Sequence, residues 1–256
     1  MRALVIQHDH VSGPGLIGEC LAGHGYDLDA VTVVPAERYR APAVDFAFPD
    51  PAGYDLIVPL GAPWSVYEEA VGGWVGGELE LLRRAHLLGV PVLGVCFGAQ
   101  ALAAALGGSV ERAPHAELGW MDIDTDAPEL VPSGPWFQSH YDRFTLPPGA
   151  VELARSAAGP QAYRIGRSLG VQFHPELTEE ILRSWLDHGL AGQARDLGLD
   201  PRELMARTRE LAQESRDRAH GLVGAFLDVA AGVDVAALTE RQGLGRHEIT
   251  DRWRDW

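Results

Sequence analysis

The chain has 256 residues, 46% apolar and 22% charged, enough to bury one large core with or without an appendage. A formal charge of −15, from 36 acidic against 21 basic residues, argues against a nucleic-acid surface, which needs clustered Lys and Arg. No run approaches the roughly 18 apolar residues of a membrane helix, and the N-terminus turns polar too soon for a signal peptide.

Residues 2–7 read as a buried strand, followed by a Gly/Pro turn and a short helix over 16–24. A second strand is expected over 26–34, a Pro/Ala-rich loop over 38–51, and a third strand over 54–60 that ends in Gly61-Ala62-Pro63. Helix signals cover 77–88. The β-branched run 90–95 then leads through Cys96-Phe97-Gly98 into an Ala/Leu-rich helix over 99–106. Strands alternating with helices predict an α/β fold, three-layered, with a mostly parallel central sheet.

The middle of the chain changes character. Short strand candidates at 110–111, 120–124, 136–139, 151–156, 162–165 and 169–173 are separated by Gly, Pro and Asp and predict a small antiparallel section. Residues 177–188 return to helix. Residues 201–231 fit one long amphipathic helix, started by Asp200 as cap and Pro201 in the first turn. The stretch 191–256 is therefore expected to form a C-terminal helical extension and tail.

Three segments carry candidate chemistry. In Gly94-Val95-Cys96-Phe97-Gly98, glycines flank a Cys between a strand and a helix. That spacing permits a sharp turn that lifts the side chain clear of the sheet. The helix N-terminus favours a thiolate there, and the next N–H, of Phe97, points toward a developing oxyanion. A buried Cys in a Gly-rich turn has the same pattern. In Val171 to Glu176, Pro175 favours an extended His174, and residues two apart on extended chain share a side. His174 and Glu176 then form a base and its carboxylate orienter. A surface His and a helix-start Glu fit the same letters. The third segment, Leu60 to Pro63, is a small-residue turn at a strand end, the edge where sites form in such sheets.

Together, Gly94-x-Cys96-x-Gly98-x-Gln100 and His174-Pro175-Glu176 resemble the class I glutamine amidotransferases. The resemblance covers residues 1–188, with the amidotransferase-like domain expected over 1–190. Within it, Leu60 to Glu68, Ser139-His140-Tyr141-Asp142 and Gln161 to Arg164 look most like stand-alone relatives of the GMP synthetase amidotransferase domain. The resemblance implies a flavodoxin-like fold and a Cys96-His174-Glu176 triad. It implies an oxyanion hole from the N–H groups of Ala62 and Phe97, and glutamine held by Gly61, Gln100, Ser139, His140, Tyr141 and Asp142. A γ-glutamyl thioester would form and release ammonia. Two positions depart from the family pattern: Ala62 stands where many relatives have Gly, and Tyr141 where many have Gly.

The expected substrate is glutamine or another γ-glutamyl small molecule. No P-loop of the form GxxxxGK[ST] occurs, so a separate synthetase is the expected ammonia acceptor. The alternatives are a free-standing hydrolase of a γ-glutamyl amine or peptide, and a catalytically silent regulatory or scaffold protein. No cofactor, metal, nucleic acid or membrane is expected. The expected protein partners are the synthetase and a second copy of the chain. Two cysteines without a CxxC pair fit a reducing, cytoplasmic setting. Cys20 reads as a small core residue. His8 and His10 read as surface histidines, and Glu68, Glu69, Glu117 and Asp122 as solvated or turn residues.

Overall fold

The structure, a computed structural model, describes residues 1–232. Its strands are β1 (Arg2–Gln7), β2 (Asp27–Thr32), β3 (Leu56–Pro59), β4 (Leu93–Val95), β5 (Val110–Asp122), β6 (Asp124–Thr125), β7 (Pro135–Phe144), β8 (Val151–Ser156), β9 (Gly159–Ile165) and β10 (Ser168–Val171). Its helices are α1 (Gly15–Gly23), α2 (Gly72–Leu88), α3 (Phe97–Ala105), α4 (Glu179–Trp185), α5 (Ala191–Asp196), α6 (Pro201–Glu210) and α7 (Ala212–Ala230).

Parallel ladders order β2-β1-β3 and β4-β10. A single parallel bridge, Ile57 to Val92, joins the two sets. The Ile57 N–H donates to the Pro91 carbonyl at 3.1 Å beside it. Beyond β10 the strands β9, β8 and β6 run antiparallel. The central sheet is therefore mostly parallel, with an antiparallel edge.

Two apolar layers follow from the two-residue period of the strands. Ala3, Val5, Leu56, Val58, Leu93 and Val95 face a layer that includes Ile17 and Leu21 of α1 and Leu222, Val223 and Phe226 of α7. Leu4, Ile6, Ile57 and Val92 face the opposite layer, with Trp74, Leu81 and Leu82 of α2 and Leu102 of α3. Strands buried on both faces explain the near-continuous apolar runs of β1 and β3. They also explain why the carboxyl edge of the sheet is left to the turns that carry the polar residues.

The expected strands at 110–111 and 120–124 are one long strand, β5, which pairs with β7 as a separate ribbon. A register shift between Arg112 and Glu117 bends it, and Ser139 and His140 pair with Leu118 and Glu117 just beyond that bend.

The expected single helix over 201–231 is two helices. It breaks at Leu211, whose φ of −89° and ψ of 0° lie between α6 and α7. The physical reason is that the two halves bury different faces. Leu204 of α6 packs with Leu118 and Phe137 of the β5–β7 ribbon, and Thr208 accepts from Trp120 Nε1 at 2.8 Å. Helix α7 instead packs into the sheet layer beside α1. One straight rod cannot reach both. The part of the expected tail beyond residue 232 lies outside the described residues.

Candidate active site

Cys96 lies in the turn from β4 to α3. Among the described residues it is the one non-glycine with positive φ, at 51° with ψ −106°. Such a conformation costs on the order of 1–3 kcal/mol and persists only when the surroundings impose it. Here the Cys96 N–H donates to Val171 at 2.8 Å, and its carbonyl accepts from Gln100 N–H at 3.0 Å. The flanking glycines are sterically required. A Cβ on Gly98 would lie 2.1 Å from the Pro59 carbonyl oxygen, and one on Gly94 would lie 2.8 Å from that of Gly98. The sulfur stands at the N-terminus of α3. It accepts from Gln172 Nε2 at 3.5 Å and lies 3.9 Å from the Ser139 carbonyl.

His174 and Glu176 come together through a turn rather than on extended chain. Leu177 N–H closes it on the His174 carbonyl at 3.4 Å. His174 Nδ1 lies 2.7 Å from Glu176 Oε1. Both residues are buried, and among the described residues His174 Nε2 has no hydrogen-bond partner of ordinary geometry, although the Cys96 thiol lies close enough to interact with the ring. The backbone is pinned on both sides: His174 N–H donates to Phe137 at 2.9 Å, and the Glu176 carbonyl accepts from Leu16 N–H at 3.0 Å, at the start of α1. Gly15 has φ of +41°, and a Cβ there would sit 1.9 Å from that carbonyl oxygen, so only glycine fits. Trp185 of α4 packs edge-on to the His174 ring at 4.9 Å. Burial alone would lower the His174 pKa. The negative charges of Glu176 and of Cys96 outweigh it and push the value up to about 10.

Leu60 to Pro63 crosses this point. Gly61 packs between the two, since a Cβ on it would lie 3.1 Å from His174 Cε1 and 3.8 Å from Cys96 Cβ. The Leu60 carbonyl accepts from Gly98 N–H at 3.1 Å. His8, expected at the surface, is wholly buried below this loop. Strand β1 runs through the middle of the sheet, so the residue at its end meets the core instead of solvent. His8 Nδ1 lies 3.1 Å from the Gly61 carbonyl oxygen, and Nε2 lies 3.0 Å from both oxygens of buried Glu78.

Cys96, His174, Gly61, Ala62, Phe97, Gln100 and Ser139 to Asp142 all line one cavity of about 490 Å³, a size that takes a small molecule. Glu176 supports it from behind His174. Gln100 is buried with its amide on Gln172 at 3.1 Å. The His140 ring is held between the Asp142 carbonyl, 3.0 Å from Nδ1, and Glu117, 3.0 Å from Nε2. Glu117 is thus buried and engaged, contrary to its expected solvated role. The reason is again the bend of β5, which turns it inward opposite His140. Asp142 accepts from Ser65 Oγ and, at 2.9 Å, from Tyr67. The Arg112 guanidinium lies 4.6 Å over the Tyr141 ring, and both line the cavity. Arg112, Gln172 and Trp185 were not singled out from the sequence, and His8 was read as a surface residue. Of these, Gln172 had a local signal, because it alternates with His174. Among the described residues no group of three or more His, Cys, Asp or Glu side chains is placed to hold a metal. No helix among them is long and apolar enough to cross a membrane.

The profile of the family described as glutamine amidotransferase class-I matches residues 20–187. The chain belongs to that family. It is 34% identical over 231 residues to a glutamine-hydrolysing GMP synthase of Aeropyrum pernix, covering 83% of this chain and 41% of that one. It is 37% identical over 169 residues to that of Thermus thermophilus, covering 59% and 31%. The chain thus spans less than half the length of these curated relatives. Among solved structures, a glutamine amido transferase from Methylobacillus flagellatus aligns with TM-score 0.77 and 26% identity, covering 89% of this chain and 94% of that one. A glutamine amidotransferase from Thermotoga maritima aligns with TM-score 0.76 at 23% identity, covering 89% and 98%, which shows the shared fold.

Proposed function

We propose that this protein hydrolyses the side-chain amide of glutamine through a covalent γ-glutamyl thioester. The observation that carries the reading is a strained Cys96 beside a His174 whose Nδ1 is tied to Glu176 and whose Nε2, among the described residues, has no partner besides the neighbouring thiol. In this mechanism the Cys96 thiolate attacks the amide carbon. The carbonyl electrons move onto oxygen, which the N–H groups of Ala62 and Phe97 stabilise. Phe97 opens α3, so its N–H has no intrahelical partner. The imidazolium of His174 gives a proton to the departing nitrogen, and ammonia leaves. Water then attacks the thioester with His174 as base, the C–S bond breaks, and glutamate leaves with the Cys96 thiolate and the His174 imidazolium restored. Gly61, Gln100 and Ser139 to Asp142 shape the glutamine site, with Arg112 available to the α-carboxylate.

The GMP synthase relatives favour delivery of the ammonia to a synthetase. A second reading, direct hydrolysis of a γ-glutamyl amine, is favoured by the outer cavity. Besides the Ser139–Asp142 stretch of β7, the cavity is lined by Tyr39, Trp64 and His188. Purified protein assayed for ammonia or amine release from glutamine, γ-glutamyl amines and γ-glutamyl peptides separates the two. Slow glutamine turnover that a synthetase accelerates supports the first, and efficient cleavage of a larger γ-glutamyl amide supports the second. Failure of every substrate, with and without a GMP synthetase, would sink both.

A further inference from the structure

We infer that His8, held by Glu78, is a positioning residue that aims the Ala62 N–H at the reacting carbonyl. This rests on the amide-hydrolysis reading and adds a part to it.

One peptide group links His8 to the site. The Gly61 carbonyl and the Ala62 N–H belong to the same rigid plane and, in a trans peptide, point in opposite directions. The chain has no cis peptide among the described residues. Whatever fixes the carbonyl therefore fixes the N–H. The carbonyl is fixed by His8 Nδ1 at 3.1 Å, on the side away from the cavity that Gly61 and Ala62 line. No hydrogen bond within the described chain uses the Ala62 N–H.

His8 has little freedom of its own. Both Glu78 oxygens lie 3.0 Å from Nε2, and neither side chain touches solvent. The ring packs 4.6 Å from Phe97 and 5.5 Å from Trp74. Trp74 in turn donates to the Pro42 carbonyl at 3.1 Å. A carbonyl can only accept, so Nδ1 carries a proton. The carboxylate favours a second proton on Nε2: burial would lower the His8 pKa, but Glu78 outweighs it and raises the value. An imidazolium on the carbonyl also polarises the peptide and strengthens its N–H as a donor. A neutral surface histidine would do neither.

The arrangement makes a test by side-chain length. In asparagine the amide nitrogen stands where histidine has Nδ1. In glutamine it reaches instead toward the Nε2 position. His8→Ala and His8→Gln should lower kcat on glutamine, or on the best γ-glutamyl amide, by up to about 10²-fold, the cost of a misplaced catalytic group, with KM little changed. Each of the three His8 variants carries Glu78→Gln so that no buried charge is stranded, and His8→Asn should recover most of the loss. Alkylation of Cys96 by iodoacetamide, which forms no oxyanion, should keep its wild-type rate in all three. Equal activity of the Asn and Gln variants would overturn the inference. So would a loss confined to KM, or alkylation falling in step with kcat. Where His8→Ala fails to fold, the Asn and Gln pair decides alone. Absence of turnover in wild type instead counts against the amide-hydrolysis reading, and the two failures are distinct.

Discussion

Glu176 Oε1 lies 2.7 Å from His174 Nδ1, and among the described residues the opposite, buried ring nitrogen has no partner besides the nearby Cys96 thiol. A buried polar atom without a partner is costly to folding, on the order of 1–3 kcal/mol. It persists where a ligand or a reacting group supplies the missing contact.

The three roles predict a ranking. Cys96→Ala and Cys96→Ser should abolish amide hydrolysis while the protein still folds, because neither makes a thiolate. His174→Ala should cost roughly 10²–10⁴-fold, the usual loss with a general acid–base. Glu176→Gln should cost less, since it orients the ring and transfers no proton. Steady-state kinetics check this, and a Glu176→Gln defect larger than that of His174→Ala would reverse the assignment.

A pH dependence follows from the same pair. The folded His174 pKa is raised to about 10, against roughly 6.5 in an unfolded chain. A group that binds its proton more tightly when folded stabilises fully below the unfolded value. That stability is lost as pH rises toward the folded one. The chain contains no lysine, but His8, whose pKa Glu78 also raises, contributes to the same fall, so the comparison with Glu176→Gln isolates the part due to His174. Melting temperature should fall between pH 7 and 9.5 and fall less steeply in Glu176→Gln. Parallel curves for the two proteins would remove Glu176 as a cause of the shift.

Tyr141 is expected to act through Arg112. A guanidinium over an aromatic ring contributes roughly 0.5–1 kcal/mol at an exposed site. Tyr141→Gly should therefore raise the KM for glutamine by about 2–5-fold with kcat little changed, the pattern of lost uniform binding. An unchanged KM would show that the stack does not place Arg112 on the substrate.

Helix α7 closes one face of the sheet with Leu222, Val223 and Phe226, each wholly buried. Phe226→Ala should destabilise by about 3–5 kcal/mol. Truncation after Leu190 should expose the apolar layer over α1 and lower solubility. Differential scanning calorimetry and light scattering check both. A truncated protein with an unchanged melting temperature would make the helix dispensable.

The parts legible in the sequence were those with a local signature. Two glycines around Cys96 mark a turn that no other residue permits, and β1 and β8 run over the same residues that their apolar patterns suggest. Contacts between distant segments were not legible. The His8–Glu78 pair spans 70 positions, and nothing at either residue announces the other. The break at Leu211 was hidden because both halves are amphipathic, and only their separate docking sites tell them apart. Arg112 reaches the cavity through a bend in β5 that the expected short strands did not contain. His174 and Glu176 were paired for a partly mistaken reason, since a turn brings them together.

The proposed mechanism rests on Cys96 as the nucleophile toward a γ-carboxamide. Its most direct test is intact-protein and peptide mass spectrometry after incubation with a diazoketone analogue of glutamine, which needs no synthetase and no turnover. The expected result is one adduct per chain, mapped to Cys96, suppressed by excess glutamine and absent in Cys96→Ala. No adduct, or an adduct mapped to Cys20, would contradict it.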